Sequence, residues 1–245
     1  MTVAFVTGGS KGIGLETVKR LNAQGMKVIT CSRNPDVWAH VVETYPELAS
    51  VEYMPLDIKN ERLLKEAFDY VEKKYGKLDV AVNNASPSLA SGGSFVQVSV
   101  EDLRSTLDND FWAHALCLKY QLNLMRSGSC IVNISSVNGL RPTPSAAMYS
   151  ASKHAIEGLT RSIAVDAIKM GIRVNSVAPG VTWTPRWEEK QQTEPNIKEQ
   201  VCKVVPANRF AEVDEVVEAI MFLLSDKARY IVGHTLVVDG GLSLT

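Results

Sequence analysis

The stretch that decides the fold is "VAFVTGGSKGIG", residues 3–14. A short apolar run leads directly into a loop spaced T-G-x-x-x-G-x-G. Glycines let the backbone turn tightly and approach a ligand, and a helix that follows offers unpaired N–H groups and a positive dipole end to an anion. A glycine cluster alone is a weak signal. Between the first strand and the first helix of an α/β chain, it predicts a diphosphate site.

Outward from this loop, strand patterns alternate with helix patterns. We predict strands at 3–7, 27–31, 51–58, 78–84, 129–135, 172–179 and 235–240, and helices at 13–24, 60–74, 100–126, 147–170 and 212–225. Several strands are apolar throughout, which is typical of strands covered on both faces. The alternation predicts an α/β fold with a doubly wound, mostly parallel seven-stranded sheet and helices on both faces. We expect residues 1–245 to form one domain.

Composition excludes several function classes. The 245 residues carry 26 basic and 27 acidic side chains, so we expect no nucleic acid and no membrane surface as partner. We recognise no signal peptide and no spanning segment, and expect a cytoplasmic protein. No metal site is predicted, because neither cysteines nor histidines have ligand spacing: Cys31, Cys117, Cys130, Cys202, His40, His114, His154 and His234.

The end of the second predicted strand indicates the cofactor. A carboxylate there would hold a free ribose 2′-hydroxyl, but the sequence has Ser32 and Arg33. A hydroxyl and a guanidinium suit a 2′-phosphate, and Lys11 in the glycine loop adds a second cation. The sequence therefore favours NADP(H) over NAD(H). The alternative is that Arg33 only solvates its loop.

Five motifs in order resemble the short-chain dehydrogenase/reductase family in its compact single-domain branch. They are "TGGSKGIG" (7–14), "NNA" (83–85), Ser136, "YSASK" (149–153) and "PG" (179–180), and the ending "FLLSDKARYIVGHTLVVDGGLS" is also similar. The resemblance implies a Rossmann-like domain that uses NAD(P)(H) to interconvert a ketone or aldehyde and a secondary alcohol, transferring the pro-S hydride. It also implies a homotetramer or homodimer built through the helices at 100–126 and 147–170.

The predicted reaction centre combines Ser136, Tyr149 and Lys153. A free phenol has a pKa of about 10, too high for efficient proton exchange near neutrality. Lys153 lies four residues after Tyr149, hence on the same helix face, and a nearby cation favours a phenolate. By resemblance, Tyr149 is the general acid/base and Lys153 also binds the nicotinamide ribose. Ser136, which family spacing selects over Ser135, orients the substrate oxygen.

Two positions depart from the family pattern. The family has a fourth catalytic member, an Asn, and register places Asp110 there, with Asn109 one residue earlier. If the backbone carbonyl acts, Asp110 substitutes for it. If the side chain acts, a carboxylate near Lys153 weakens the lysine's effect on Tyr149. Ser86 replaces a usual Gly, so the loop on the cofactor side is expected to be slightly repositioned.

The resemblance also implies the remaining ligand contacts. Asp57 and Ile58 would flank the adenine, although Asp57 also suits a turn or helix cap. The expected cofactor contacts are Gly8, Ser10, Lys11, Gly12, Ile13, Gly14, Ser32, Arg33, Asp57, Ile58, Asn83, Ala85, Tyr149, Lys153, Pro179, Gly180, Val181, Thr182 and Thr184. The expected substrate contacts are Ser136, Tyr149, Met148, Trp183 and Trp187.

Residues 182–206 are polar, contain three prolines and interrupt the alternation. We predict an irregular substrate lid there, with a tolerated surface insertion as the alternative. Segments 87–98 and 138–148 should also shape the pocket. Two other functions stay open: a 3-oxoacyl-[acyl-carrier-protein]-type thioester reductase, for which Arg126, Arg141 and Arg186 could face the carrier, and a non-catalytic NADP(H)-sensing Rossmann protein.

Overall fold

The computed structural model describes residues 1–87 and 89–245. Its centre is a parallel sheet of seven strands in the order β3-β2-β1-β4-β5-β6-β7. The strands are β1 Val3–Thr7, β2 Lys27–Ser32, β3 Glu52–Pro55, β4 Leu78–Asn83, β5 Met125–Ile134, β6 Arg173–Pro179 and β7 Thr235–Val238. The predicted doubly wound sheet is confirmed, and it is parallel in every pairing. The strand order reverses between β1 and β4, so the crevice at their carboxyl ends is where such sheets bind ligands.

Nine α-helices accompany the strands in the described chain. They are α1 Gly12–Ala23, α2 Pro35–Thr44, α3 Glu61–Tyr75, α4 Val100–Leu107, α5 Ala113–Leu124, α6 Ala147–Ala167, α7 Pro185–Thr193, α8 Ile197–Cys202 and α9 Val213–Leu224. Among them, none combines the length and the apolar character needed to cross a membrane.

Four expectations about elements were wrong. Helix α2 was not predicted, because it buries only Trp38 and Val41, too few for a clear apolar stripe. The predicted strand 51–58 ends early, since β3 is an edge strand that stops at Pro55. The predicted helix 100–126 is divided by a π-helical turn, Asp108–Trp112. The excursion 182–206 is not irregular, because it contains α7 and α8.

The core has two layers, one on each face of the sheet. Val3 and Phe5 of β1 pack on the side of α3, α5 and α6, whereas Ala4 and Val6 pack on the side of α1, α2 and α9. Successive side chains of a strand point to opposite faces, so both faces of β1 are buried. This is why the strands read as continuous apolar runs, and it leaves their carboxyl ends as the place for polar chemistry.

Candidate active site

The glycine loop is packed tightly against the end of β4 and against itself. Gly8 and Gly12 have φ angles of +73° and +56°, the left-handed region that favours glycine. A Cβ on Gly8 would lie 2.9 Å from Cα of Ala85, and one on Gly14 would lie 2.2 Å from the carbonyl oxygen of Gly8. Ser10 and Ile13 lie between these glycines. The loop therefore tolerates no added side chain at Gly8 or Gly14 without rearrangement.

Thr7 and Asn84 fix the glycine loop to the end of β4. Asn84 Nδ2 donates to the carbonyls of Thr7 at 3.1 Å and Gly8 at 3.3 Å. In return, Thr7 Oγ1 accepts from the backbone N–H groups of Asn84 and Ala85 at 2.9 and 3.0 Å. Thr7 and Asn84 were not predicted as site residues, although Thr7 lies in "TGGSKGIG" and Asn84 in "NNA". Their side chains join β1 and β4 where the strand order reverses.

Asn83 lies beneath the crevice rather than in it. Its side chain is 1% exposed and exchanges hydrogen bonds with Gln121 at 2.9 and 2.8 Å. It also donates to Asn133 Oδ1 at 2.9 Å, and Asn133 donates to Thr160 of α6 at 2.9 Å. This buried network ties β4, β5, α5 and α6 together, and satisfied networks of this kind rigidify a core. The side chain of Asn83 therefore supports the site from below.

Ser136, Tyr149 and Lys153 gather at the carboxyl end of β5. Lys153 Nζ donates to the carbonyl of Ile134, the last residue of β5, at 3.3 Å. It lies 5.5 Å from the centre of the Tyr149 ring. Ser136 follows two residues after Ile134, and its Oγ accepts from the N–H of Asn138 at 3.1 Å. Lys153 is buried and Tyr149 half-buried, so the amine is shielded from water while part of the tyrosine is accessible.

The π-helical turn brings Asp110 to the lysine. Asp110 is 2% exposed, and its Oδ1 lies 3.9 Å from Lys153 Nζ. Ser86 Oγ donates to the same oxygen at 2.6 Å. Asn109, the other candidate for the fourth position, instead donates to the carbonyl of Ser105 on its own helix at 2.7 Å. Asp110, rather than Asn109, therefore faces Lys153.

His114 is a buried neighbour that the sequence analysis did not assign to the site. Its Nε2 lies 2.8 Å from the carbonyl oxygen of Ala85, which can only accept, so Nε2 carries the proton. Burial, followed by the nearby charge of Lys153, lowers the pKa of His114 to about 3. The imidazole is therefore neutral near pH 7. Its position one turn after Asp110 is the sequence signal that could have found it.

Ser32 and Arg33 close β2 at the opposite side of the glycine loop. Ser32 Oγ lies 3.0 Å from the hydroxyl of Tyr53, which also donates to the Ser32 carbonyl at 2.9 Å. Tyr53 stacks on Trp38, with ring centres 5.2 Å apart. Arg33 and Lys11 are both exposed. Ser32 is thus held by an aromatic pair, while the two cations are accessible to an anion.

Asp57 and Ile58 lie beyond the end of β3, not in it. Asp57 Oδ1 accepts from the N–H of Lys59 at 3.0 Å, which is a turn contact. Ile58 is 8% exposed and belongs to the core on the α3 side. Any contact of Ile58 with a ligand would therefore be through its backbone.

The loop after β6 lies against the glycine loop. A Cβ on Gly12 would lie 3.5 Å from Cγ2 of Thr184. Pro179 ends β6, the N–H of Gly180 donates to Val238 at 2.9 Å, and Thr182 forms a bridge with Ala211. Val181 packs in a small apolar cluster with Val137, Val205 and Leu242.

The segment 182–206 contributes two tryptophans to an aromatic cluster, and its Arg186 forms a clasp, a pair of hydrogen bonds to the loop after β4. Trp183 and Trp187 each meet Phe210 edge-on, with ring centres 5.1 Å apart. Arg186 donates to the carbonyls of Ser86 and Pro87 at 2.9 and 2.7 Å. The clasp joins this segment to the loop after β4. Of the predicted pocket segments, 138–148 contains the half-buried Met148, and 87–98 includes Ser88, which lies outside the described residues.

These residues fit a dinucleotide. The glycine loop excludes side chains at Gly8 and Gly14, has left-handed backbone at Gly8 and Gly12, and meets the loop after β6 at Thr184. Exposed cations stand at one end of the crevice and the Tyr149–Lys153 pair at the other. Within residues 1–87 and 89–245, no group of three or more metal-ligating side chains is found.

The chain is similar to known oxidoreductases over almost its whole length. A family model described as Enoyl-(Acyl carrier protein) reductase matches residues 8–243. A 3beta-hydroxysteroid dehydrogenase of Mediterraneibacter gnavus is 33% identical, over 98% of this chain and 94% of that protein. A 2,5-dichloro-2,5-cyclohexadiene-1,4-diol dehydrogenase of Sphingobium indicum is 36% identical, over 98% and 96% respectively. The solved structure of ElxO with NADP bound aligns with a TM-score of 0.92 at 28% identity, covering 100% of this chain and 99% of that one.

Proposed function

Because this chain belongs to the short-chain dehydrogenase/reductase family and is an NAD(P)-dependent oxidoreductase of ketones and alcohols, we propose that it is an NADPH-dependent carbonyl reductase with Tyr149 as general acid/base. The observation that carries the proposal is the Tyr149–Lys153 pair beside the end of β5, with the Lys153 amine bonded to Ile134. Bound NADPH supplies the hydride that the carbonyl carbon accepts.

The residues of the chain handle the proton and the orientation of the substrate. Tyr149 donates its phenolic proton to the carbonyl oxygen as that oxygen gains negative charge. The buried ammonium of Lys153 stabilises the phenolate left behind, because opposite charges attract strongly where water is excluded. Ser136 Oγ donates to the substrate oxygen, which its contact with the N–H of Asn138 leaves it free to do. Microscopic reversal of these steps oxidises the alcohol.

The preference for NADP(H) rests on Ser32, Arg33 and Lys11. A 2′-phosphate would meet two exposed cations and a hydroxyl, and no carboxylate closes β2 to repel it. We also propose that the glycine loop holds the diphosphate and that Thr182 and Thr184 bind the nicotinamide end. Residues 182–206 act as the lid, with Met148, Trp183 and Trp187 as an apolar wall for the substrate. The whole chain acts as one domain.

The test follows NADPH absorbance with a panel of linear, cyclic and steroidal ketones. We expect turnover of at least one ketone, with kcat/KM higher for NADPH than for NADH. Arg33→Ala should raise the Kd of NADPH by about 10- to 100-fold, the worth of a charged hydrogen bond, and leave that of NADH nearly unchanged. Arg62→Ala is the control, because its guanidinium bonds Glu66 on the exposed face of α3. No turnover of any ketone, or equal use of both cofactors, would reject the corresponding part of the proposal.

A 3-oxoacyl-[acyl-carrier-protein]-type thioester reductase is the second candidate, favoured by the description of the matching family model. The three arginines considered for carrier binding argue against it. Arg126 bonds Gly76 at the amino edge of the sheet, Arg141 bonds Leu242, and Arg186 forms the lid clasp. Turnover of an acyl-carrier thioester in clear preference to free ketones would select this candidate.

A further inference from the structure

Ser86 and Asp110 are two departures from the family pattern, and they contact each other. A carboxylate only accepts, so the 2.6 Å contact is a hydrogen bond donated by the Ser86 hydroxyl to Asp110 Oδ1. We propose that Ser86 and Asp110 are positioning residues that together set how strongly Lys153 favours the ionised form of Tyr149. The inference rests on the proposed function, in which Tyr149 exchanges the proton.

Burial strengthens the electrostatic attraction between Asp110 and Lys153, although the two groups are too far apart to form a hydrogen bond. Asp110 and Lys153 are 2% and 1% exposed, and the 3.9 Å between their charged atoms is beyond hydrogen-bond length. Charges screened by little water still attract across such a gap. A buried ammonium with only a backbone carbonyl as acceptor would be costly, and an opposite charge offsets that cost. Asp110 is therefore the counter-ion of Lys153.

Of the two aspartates in the π-helical turn, Asp110 is the one whose carboxylate lies near Lys153. Of the five residues in Asp108–Trp112, Asp110 is the buried one. Asp108, two residues earlier, has a side chain that is 37% exposed and pairs with Arg104 at 3.2 Å. The two aspartates differ in where they point, not in chemistry. Asp108 is therefore a matched control for any substitution at Asp110.

The polar groups that contact Lys153 or Asp110 come from several elements. Tyr149 comes from the same helix, Ile134 from β5, Ser86 from the loop after β4, and Asp110 and His114 from the π-helical turn and α5. His114 is neutral near pH 7, because burial lowers its pKa to about 3. The charged pair that faces Tyr149 is therefore Lys153 with Asp110.

The two positioning residues should act in opposite directions. Asp110→Asn removes a negative charge. While Lys153 keeps its proton, its charge then acts on Tyr149 unopposed, and ionisation of Tyr149 should need a lower pH. Ser86→Ala removes the hydroxyl group whose hydrogen bond disperses part of the negative charge of Asp110. The carboxylate then draws Lys153 more strongly, and ionisation of Tyr149 should need a higher pH. Ser86 acts through Asp110, so its effect should vanish when Asp110 is already Asn.

The experiment is a tyrosinate absorbance titration of the full chain, in which each protein is compared with its own Tyr149→Phe counterpart. The difference isolates the ionisation of Tyr149 without needing a substrate. We expect Asp110→Asn to lower the half-titration pH by about one unit, Ser86→Ala to raise it, and Asp108→Asn to leave it unchanged. The double variant should match Asp110→Asn. The alkaline limb of kcat/KM for ketone reduction against pH should shift in the same directions, because Tyr149 must be protonated to act as the acid.

An unchanged or higher half-titration pH in Asp110→Asn would overturn the inference, as would an equal effect of Ser86→Ala with and without Asp110. Circular dichroism checks that each variant folds. If Asp110→Asn does not fold, Ser86→Ala is compared with Ser86→Thr, which keeps the hydroxyl and should restore the wild-type value. Lack of turnover in the wild-type enzyme would reject the proposed function alone, because the absorbance titration still decides the role of the pair.

Discussion

At the scale of single residues, the site depends on side chains whose charge is decided by burial. Lys153 and Asp110 are buried as a pair, whereas His114 is buried without an opposite charge of its own. An uncompensated imidazole in the interior stays neutral, since desolvation disfavours its charged form. All three side chains are buried, but Lys153 and Asp110 form an ion pair whereas His114 is neutral.

His114 should make stability depend on pH below neutrality. Its pKa is about 3 in the folded chain against 6.5 for an unperturbed imidazole, so between these values the unfolded chain binds one more proton. The free energy of unfolding contributed by this residue therefore falls by about 1.4 kcal/mol for each pH unit below the unfolded pKa, and is flat above it. His114→Gln should remove this slope while keeping a donor for Ala85.

Denaturant unfolding of wild type and variant across pH 4 to 7 measures the slope. His40→Gln is the control, because the His40 side chain is 80% exposed and should leave the wild-type slope intact. A slope that persists unchanged in His114→Gln would contradict the assignment of a buried neutral imidazole.

At the scale of elements, two helix glycines should respond in opposite ways to replacement by alanine. A Cβ on Gly14 would lie 2.2 Å from a backbone oxygen, whereas one on Gly158, inside α6, would meet nothing within 4 Å. Gly14→Ala should cost at least about 1–3 kcal/mol through overpacking and weaken NADPH binding. Gly158→Ala should instead stabilise the protein by about 0.5–1 kcal/mol, because alanine is the better helix former.

Thermal unfolding and NADPH titration of the two variants check this prediction. Equal effects of the two substitutions on stability, or loss of NADPH affinity in Gly158→Ala, would show that the glycine loop is not the sensitive element.

The sequence predicted elements best where the pattern is strong. Strands buried on both faces appear as apolar runs, and the parallel arrangement of the sheet follows from strand–helix alternation. The π-helical turn was not predictable, because apolar spacing through 100–126 is compatible with one continuous helix. The motifs predicted Tyr149, Lys153 and Ser136 as the reaction centre, and the fold places Lys153 beside the Tyr149 ring. The contact between Ser86 and Asp110 links residues 24 positions apart, and only the fold reveals it.

At the scale of the whole molecule, the expected homodimer or homotetramer stays a prediction. Trp112 and Val165 are 50% and 62% exposed, and they lie on the π-helical turn and α6, within the two regions expected to form the interface. Sedimentation equilibrium should give two or four chains, and Val165→Glu should lower that number. A monomer at micromolar concentration would contradict this expectation.

The molecule as a whole brings the glycine loop, the exposed Arg33 and the Tyr149–Lys153 pair to one edge of the sheet. The most direct test of this account compares Tyr149→Phe with the wild-type enzyme in ketone turnover and NADPH affinity. We predict that kcat falls by about 10²- to 10⁴-fold, the usual contribution of a general acid, while the Kd of NADPH changes less than about threefold. Retained turnover in Tyr149→Phe would contradict the account.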